Sequence, residues 1–299
     1  MYPRGHIPDH PAVSAKRHGL HLFRGIGAIR AAVVPVDGTK NRLWLPADKG
    51  GPGIQNQLDL SACEGFAHSS GATLRLAIAG TPVPRRAAGG LYLGALMADR
   101  VPNADGSLPY LIDQGTMPSS ILSAWQLWGS TDEATWGQQP ASSQTMYADP
   151  TGSNPAIPQG ALTEPKPEQL YAEKACTFNG AHFIQSTGDQ KVLDIMQALA
   201  AGYPVSIAIP ASGQDFQGYR GGVLGALSGP IDHANLLVDV LSWDGKDPSS
   251  AVFIGCNSWG DTGWGESDAD GIAGGMYRCS RAFIDQLEDP CVLDVARAQ

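Results

Sequence analysis

The chain is short of charge, of basic clusters and of long apolar runs. Charged residues make up 16% of its 299 positions and hydrophobic ones 42%, which excludes the highly charged, weakly hydrophobic class of disordered chains. Lys and Arg together number 20 against 29 acidic residues, for a net charge of -9, and no run of basic residues offsets that sign. A phosphate backbone or an anionic lipid surface has nothing to hold, so neither nucleic acid nor membrane is expected as a partner. Ala31 to Val36 and Val205 to Pro210 have the length of core strands, well below the roughly 18 apolar residues that a membrane span needs. The opening MYPRGHIPDHP puts Pro and His where a secretory leader carries its apolar segment. The expectation is therefore a cytoplasmic chain, or one delivered by a route other than Sec, association with a virion being one such route. Cysteine is scarce and odd in number, at positions 63, 176, 256, 279 and 291, without a CxxC pair. That excludes a zinc knuckle and a dense disulfide framework, although Cys279 and Cys291 could bridge in an oxidising setting. Acidic residues are scattered without ligand spacing, so no metal is expected, and no cofactor.

Glycine and proline, by contrast, are plentiful, 37 and 22 residues, and point to many turns and long loops in a mixed α and β chain. Its length suits one large domain or two small ones. Residues 1–50 read as an N-terminal arm with a short strand near Ala28 to Val36. Residues 51–137 read as helical: Ser61 to Ala79 with Ser61 as N-cap, Gly90 to Arg100, and Ser119 to Trp128 stopped by Gly129. Tyr92, Trp125 and Trp128 fall at helical spacing and read as core. Residues 138–170 are rich in Pro, Ser and Gly and read as a crossing loop. In 171–299 one helix, Gln190 to Ala201, precedes β-rich runs at Tyr203 to Pro210, His233 to Trp243 and Ala251 to Asn257. The last two are joined by the turn WDGKDPSS as a hairpin. No internal repeat occurs.

Cleavage of an amide by a thiol needs a thiolate, an imidazole to exchange protons, a group to orient the imidazole and a donor for the oxyanion. Cys63 opens a helix, where the macrodipole favours negative charge on sulfur. Gln57, six residues upstream in NQLDLSAC, offers a side-chain amide. His233 heads an apolar strand in DHANLLVDV, and Asn257 ends the neighbouring run in AVFIGCNSWGDTGWGE, so a hairpin brings them side by side. His68, five residues after Cys63, is turned away from it on a helix and reads as packing or surface. His182 lacks an accompanying Asn motif.

Gln57, Cys63, the DHA at 232–234, and NSWG followed by GWGE at 257–266 together resemble the papain-like cysteine peptidases, across roughly Leu45 to Phe283. DQGT at 113–116 and AAGYPVSIAIP before His233 are similar to bacterial and phage-type members. The resemblance implies an α+β, two-lobe fold: a helical lobe carries the Cys, a β-rich lobe carries the His and Asn, and a cleft for a peptide or protein substrate lies between. It implies Cys63 as nucleophile, His233 as its proton partner, Asn257 as orienter and Gln57 with the Cys63 N–H as oxyanion hole. Trp259 would shield the His–Asn bond, and Gly115 would meet the substrate backbone. His233 and Asn257 lie 170 and 194 residues after Cys63, more than the family's 130 to 150, which implies inserted loops. Two departures stand out. Leu58 follows Gln57 where Gly is usual, and Glu64 follows Cys63, where its charge is expected to point to solvent. These departures and the Pro-rich insertions leave a second reading, a silent papain-like module of a larger assembly such as a virion or secretion apparatus.

Overall fold

The computed structural model describes residues 44, 47–81, 84–136, 146–166, 169, 176–265 and 274–297. The strand expected at Ala28 to Val36, most of the arm and part of the Pro-rich stretch lie outside the described residues.

Three helices pack on one another: α1 (Cys63–Ile78), α2 (Ala88–Asp99) and α3 (Pro118–Trp128). Small residues let them approach closely. A Cβ on Gly65 of α1 would stand 2.5 Å from the Ala88 carbonyl oxygen, and one on Gly94 of α2 would meet Ala124 and Trp128 of α3. Helix α2 is buried from Ala88 to Leu96, so its AGGLYLGAL segment is apolar all round rather than striped. Tyr92 and Trp125 are buried in this core. Proline opens α3, and Gly129 ends it at φ 79°, a conformation that favours glycine. The N-cap of α1 differs from the sequence expectation: Ala62 holds that position without a side-chain bond. Ser61 instead donates its backbone N–H to Asp113 Oδ1 at 2.9 Å.

A seven-stranded sheet forms the other half. Its strands are β3 (Cys176–Phe183), β4 (Val205–Ile209), β5 (Val223–Leu224), β6 (His233–Ser242), β7 (Val252–Cys256), β8 (Met276–Ser280) and β9 (Glu288–Arg297). They lie in the order β3-β9-β4-β6-β7-β8-β5, all antiparallel except β5 with β8. A separate ladder pairs β1 (Leu111–Ile112) with β2 (Ala161–Leu162), so the Pro-rich stretch is tied back to the helical part. Leu74 of α1 packs against Leu236, Val238, Ile254, Cys256 and Met276 on one face of the sheet. Helix α4 (Gly188–Ala200) and the aromatics Phe216, Trp259, Trp264 and Tyr277 cover the other face. Strand β6 is buried on both sides, which is why LLVDV reads as a continuous apolar run instead of an alternation.

Cys279 and Cys291 do not bridge. They sit on β8 and β9, with β7, β6 and β4 between those strands, and all five cysteines are buried.

Candidate active site

The fold brings Cys63, His233 and Asn257 together from three elements. Cys63 is the first residue of α1, and α1 packs along β6, whose first residue is His233. The Ala234 N–H, one residue into β6, donates to Cys63 Sγ at 3.2 Å. Pairing of β6 with β7 sets Leu236 opposite Cys256, so Asn257, the next residue, reaches back to the start of β6. Its Oδ1 lies 2.8 Å from His233 Nε2. The Ser258 N–H also donates to this Oδ1, at 2.7 Å, which identifies the atom as the carboxamide oxygen. An oxygen there can only accept, so Nε2 carries a proton and Nδ1 is the ring nitrogen left to exchange one. The Trp259 ring stands 4.8 Å from the imidazole at 32°, and Phe216 lies 6.4 Å away on the covered side of the sheet.

Gln57 is bound to the same segment. Its backbone N–H donates to the Ser258 carbonyl at 2.8 Å, and its Oε1 accepts from the Ser258 hydroxyl. Its Nε2 donates to the Leu60 carbonyl at 2.7 Å. That amide has two hydrogens and spends one on Leu60, leaving the other for an oxyanion. Leu58 keeps the left-handed backbone that glycine would take in this turn, at φ 53°.

Glu64 corrects the sequence expectation. Its side chain is 1% exposed and faces inward, with a carboxylate oxygen 3.2 Å from Nδ1 of the fully buried His68. Residues four apart share a helix face, so once α1 buries His68 it draws Glu64 in with it. His68 is thereby engaged away from the sulfur. His182 lies on the edge strand β3, with β9 and β4 between it and β6, and takes no part in the site.

Gly115 follows β1 in a left-handed conformation, φ 89°, and donates its N–H to the Tyr92 hydroxyl at 3.2 Å. A groove of about 480 Å³ runs past it, walled by Leu96, Arg100, Tyr110, Thr116 and Met117. Cys63, His233 and Gln57 show no solvent exposure and Asn257 only 2%, so this groove passes the site without opening onto it. Two other thiols are chemically muted: burial pushes Cys256 up to about 12 and holds Cys279 well above the ordinary thiol range. Sequence reading does not single out Asp113, Tyr147 or the Ser258 hydroxyl, and it takes Tyr92 only as core, whereas the Tyr92 and Tyr147 hydroxyls converge on the Asp113 carboxylate. Only DQGT hinted at the first.

Helices on one side, a sheet on the other and a cysteine beside a His–Asn pair where they join give the chain a papain-like fold. A family model described as "Papain family cysteine protease" matches residues 143–279, a segment that holds His233 and Asn257 but not Cys63. Papaya proteinase 4 from Carica papaya is 34% identical over 90 residues, and cysteine protease XCP2 from Arabidopsis thaliana is 43% identical over 91 residues. Each alignment takes in 30% of this chain and 23% of the relative, so the chain spans about a quarter of those proteins. Among solved structures, xylellain, a cysteine protease from Xylella fastidiosa, superposes at TM-score 0.64 over 99% of this chain and 97% of that one, at 17% identity. The Carica candamarcensis cysteine protease CMS1MS2, solved with E-64, superposes at 0.54 over 83% and 94%, at 19% identity. At such identities the likeness is one of fold.

Proposed function

We propose that the protein is a cysteine peptidase that cleaves peptide or isopeptide bonds of a protein substrate through an acyl-enzyme. The observation that carries this reading is the His233–Asn257 bond at 2.8 Å beside a sulfur that the next residue's N–H already contacts. His233 Nδ1 takes the Cys63 thiol proton as the sulfur attacks the carbonyl carbon, the oxygen's charge being met by Gln57 Nε2–H and the Cys63 N–H in the first helical turn. The C–N bond then breaks, and His233 gives its proton to the departing amine. Water enters, His233 takes a proton from it, and the thioester opens to a carboxylic acid and the free thiol. Asn257 holds the imidazole in the required tautomer, and Trp259 keeps water from that hydrogen bond.

Labelling with a papain-directed epoxide tests the reading. Mass is expected on Cys63 and absent in Cys63→Ala. Because Cys63 is closed off, iodoacetamide serves as a small companion reagent that needs less opening. His233→Ala should lower peptide turnover by about 10²- to 10⁴-fold, the contribution of general acid–base catalysis. A folded protein that neither reagent marks at Cys63 overturns the proposal. A proteome-derived peptide library then separates cleavage within chains from isopeptide cleavage.

A further inference from the structure

We propose that Asp113 is a positioning residue, whose carboxylate holds the segment bearing the nucleophile and the segment bearing Gly115 at a fixed separation. The inference rests on the peptidase reading for its consequence, although the linkage it describes does not.

Four parts of the helical half meet at this half-buried side chain. Oδ1 accepts from the Ser61 N–H at 2.9 Å, two residues before Cys63, and from the Tyr92 hydroxyl of α2 at 2.7 Å. Oδ2 accepts from the Tyr147 hydroxyl at 2.6 Å, beyond the stretch that follows α3. The fourth connection is indirect. The Tyr92 oxygen, having donated to Asp113, accepts the Gly115 N–H at 3.2 Å. A main-chain bond from the Asp113 N–H to the Gly160 carbonyl, 2.8 Å, anchors the residue at the end of the β1–β2 ladder. Pulling any one of these groups away leaves a polar atom short of a partner, so the set moves as a unit. Tyr92 and Tyr147 are held well on the protonated side of their ordinary range, chiefly by burial and next by the Asp113 carboxylate, so both stay donors wherever the protein is folded. In Tyr92 the Cys63 sulfur adds a further push of the same sign, the smallest of those acting on it.

The geometry has a chemical consequence. Attack on a carbonyl requires substrate and sulfur to be held in one arrangement, and misplacement by about 1 Å is enough to cost two orders of magnitude. Gly115 is the expected backbone contact for substrate, and Ser61 fixes the entry to Cys63. Asp113 is the group bonded to both, directly in one case and through one hydroxyl in the other.

The experiment compares Asp113→Ala, Asp113→Asn, Tyr92→Phe and Tyr147→Phe with the wild type. Three readouts are taken on folded protein: peptide kcat and KM, the rate of Cys63 alkylation by iodoacetamide, and amide hydrogen exchange at residues 61 and 115. Asp113→Ala should lower peptide kcat/KM about tenfold or more while iodoacetamide alkylation changes less than about threefold, because the small reagent makes no use of Gly115. Asparagine keeps an acceptor oxygen for Ser61 and Tyr92 and should restore most of the loss. Exchange should quicken at both amides in Asp113→Ala and at 115 in Tyr92→Phe. Turnover within threefold of wild type in Asp113→Ala, alkylation falling in step with turnover, or an asparagine variant as poor as alanine overturns the proposal. If wild-type protein hydrolyses no peptide and Cys63 resists both reagents, the peptidase reading fails. The exchange data still decide the linkage: unchanged exchange at 61 and 115 sinks it, and faster exchange sustains it.

Discussion

Leu58 holds a backbone angle of +53° next to the side chain proposed to bind the oxyanion. An L-residue there brings Cβ against the following carbonyl, a cost of about 1–2 kcal/mol that glycine avoids. The usual ranking of the two smallest residues should therefore invert: Leu58→Gly is expected to be more stable than Leu58→Ala by about 1 kcal/mol in urea unfolding. Equal stabilities, or alanine ahead, would mean that the turn relaxes out of the left-handed region. Sequence motifs made Cys63, His233 and Asn257 legible because the chemistry demands those residue types and the resemblance supplies their order. The same motifs predicted a small residue at 58, yet could not reveal that leucine preserves the turn. Nor could they give the direction of Glu64, since which face of α1 is buried depends on β6 and α2, elements remote in sequence.

Helix α1 owes its depth to glycine. A methyl group on Gly65 would meet the Ala88 carbonyl at 2.5 Å and Tyr92 Cβ at 3.1 Å, both on the packed side of α2. One on Gly71 would meet mainly the Leu236 Cδ1 at 3.2 Å, the end of a side chain that can turn aside. Gly65→Ala should thus cost about 1–3 kcal/mol by overpacking, whereas Gly71→Ala should be near neutral or stabilising through helix propensity. Alkylation of Cys63, two residues from the strained position, should change in the first variant and hold in the second. Similar effects in both would show that α1 shifts as a rigid rod. At this scale periodicity found α1, α2, α3 and α4 to within two residues at each end, and also β4, β6 and β7, whose apolar runs are dense. It missed β3 and β8, whose sequences carry no dense apolar run, and β9, whose CVLDV run directly follows Asp289 and Pro290. Edge strand β3 contains Asn179 and a register shift beside Gly180, β8 is the mixed MYRCS, and β9 includes Pro290. Such strands exist because the sheet already present offers them partners.

Taken whole, the molecule is a sheet buried on two faces, and its titratable groups register that burial. Cys256 and Cys279 lie on the neighbouring interior strands β7 and β8, and burial raises both thiols above their ordinary value of 9.0, Cys256 to about 12. Tyr277, packed over Gly255 between them, is likewise raised above its ordinary 10.0, first by burial. In the unfolded chain each of these groups loses its proton near its ordinary value, while in the folded protein each keeps it. The unfolded state therefore binds fewer protons above pH 9, and unfolding stability falls as pH rises. The stability these groups contribute is intact below pH 9 and is lost progressively towards pH 12 for Cys256, at up to about 1.4 kcal/mol per pH unit for each group in its window. Urea unfolding under reducing conditions from pH 8 to 10.5 should show stability steady at first and declining from about pH 9. Cys256→Ala and Cys279→Ala should each decline less steeply than wild type, whatever their stability at pH 8. Parallel curves for all three proteins would show that these thiols are open to water and would undo the assignment. The effect also limits the chemistry, since raising pH to gather more thiolate at Cys63 erodes the sheet that holds His233 and Asn257.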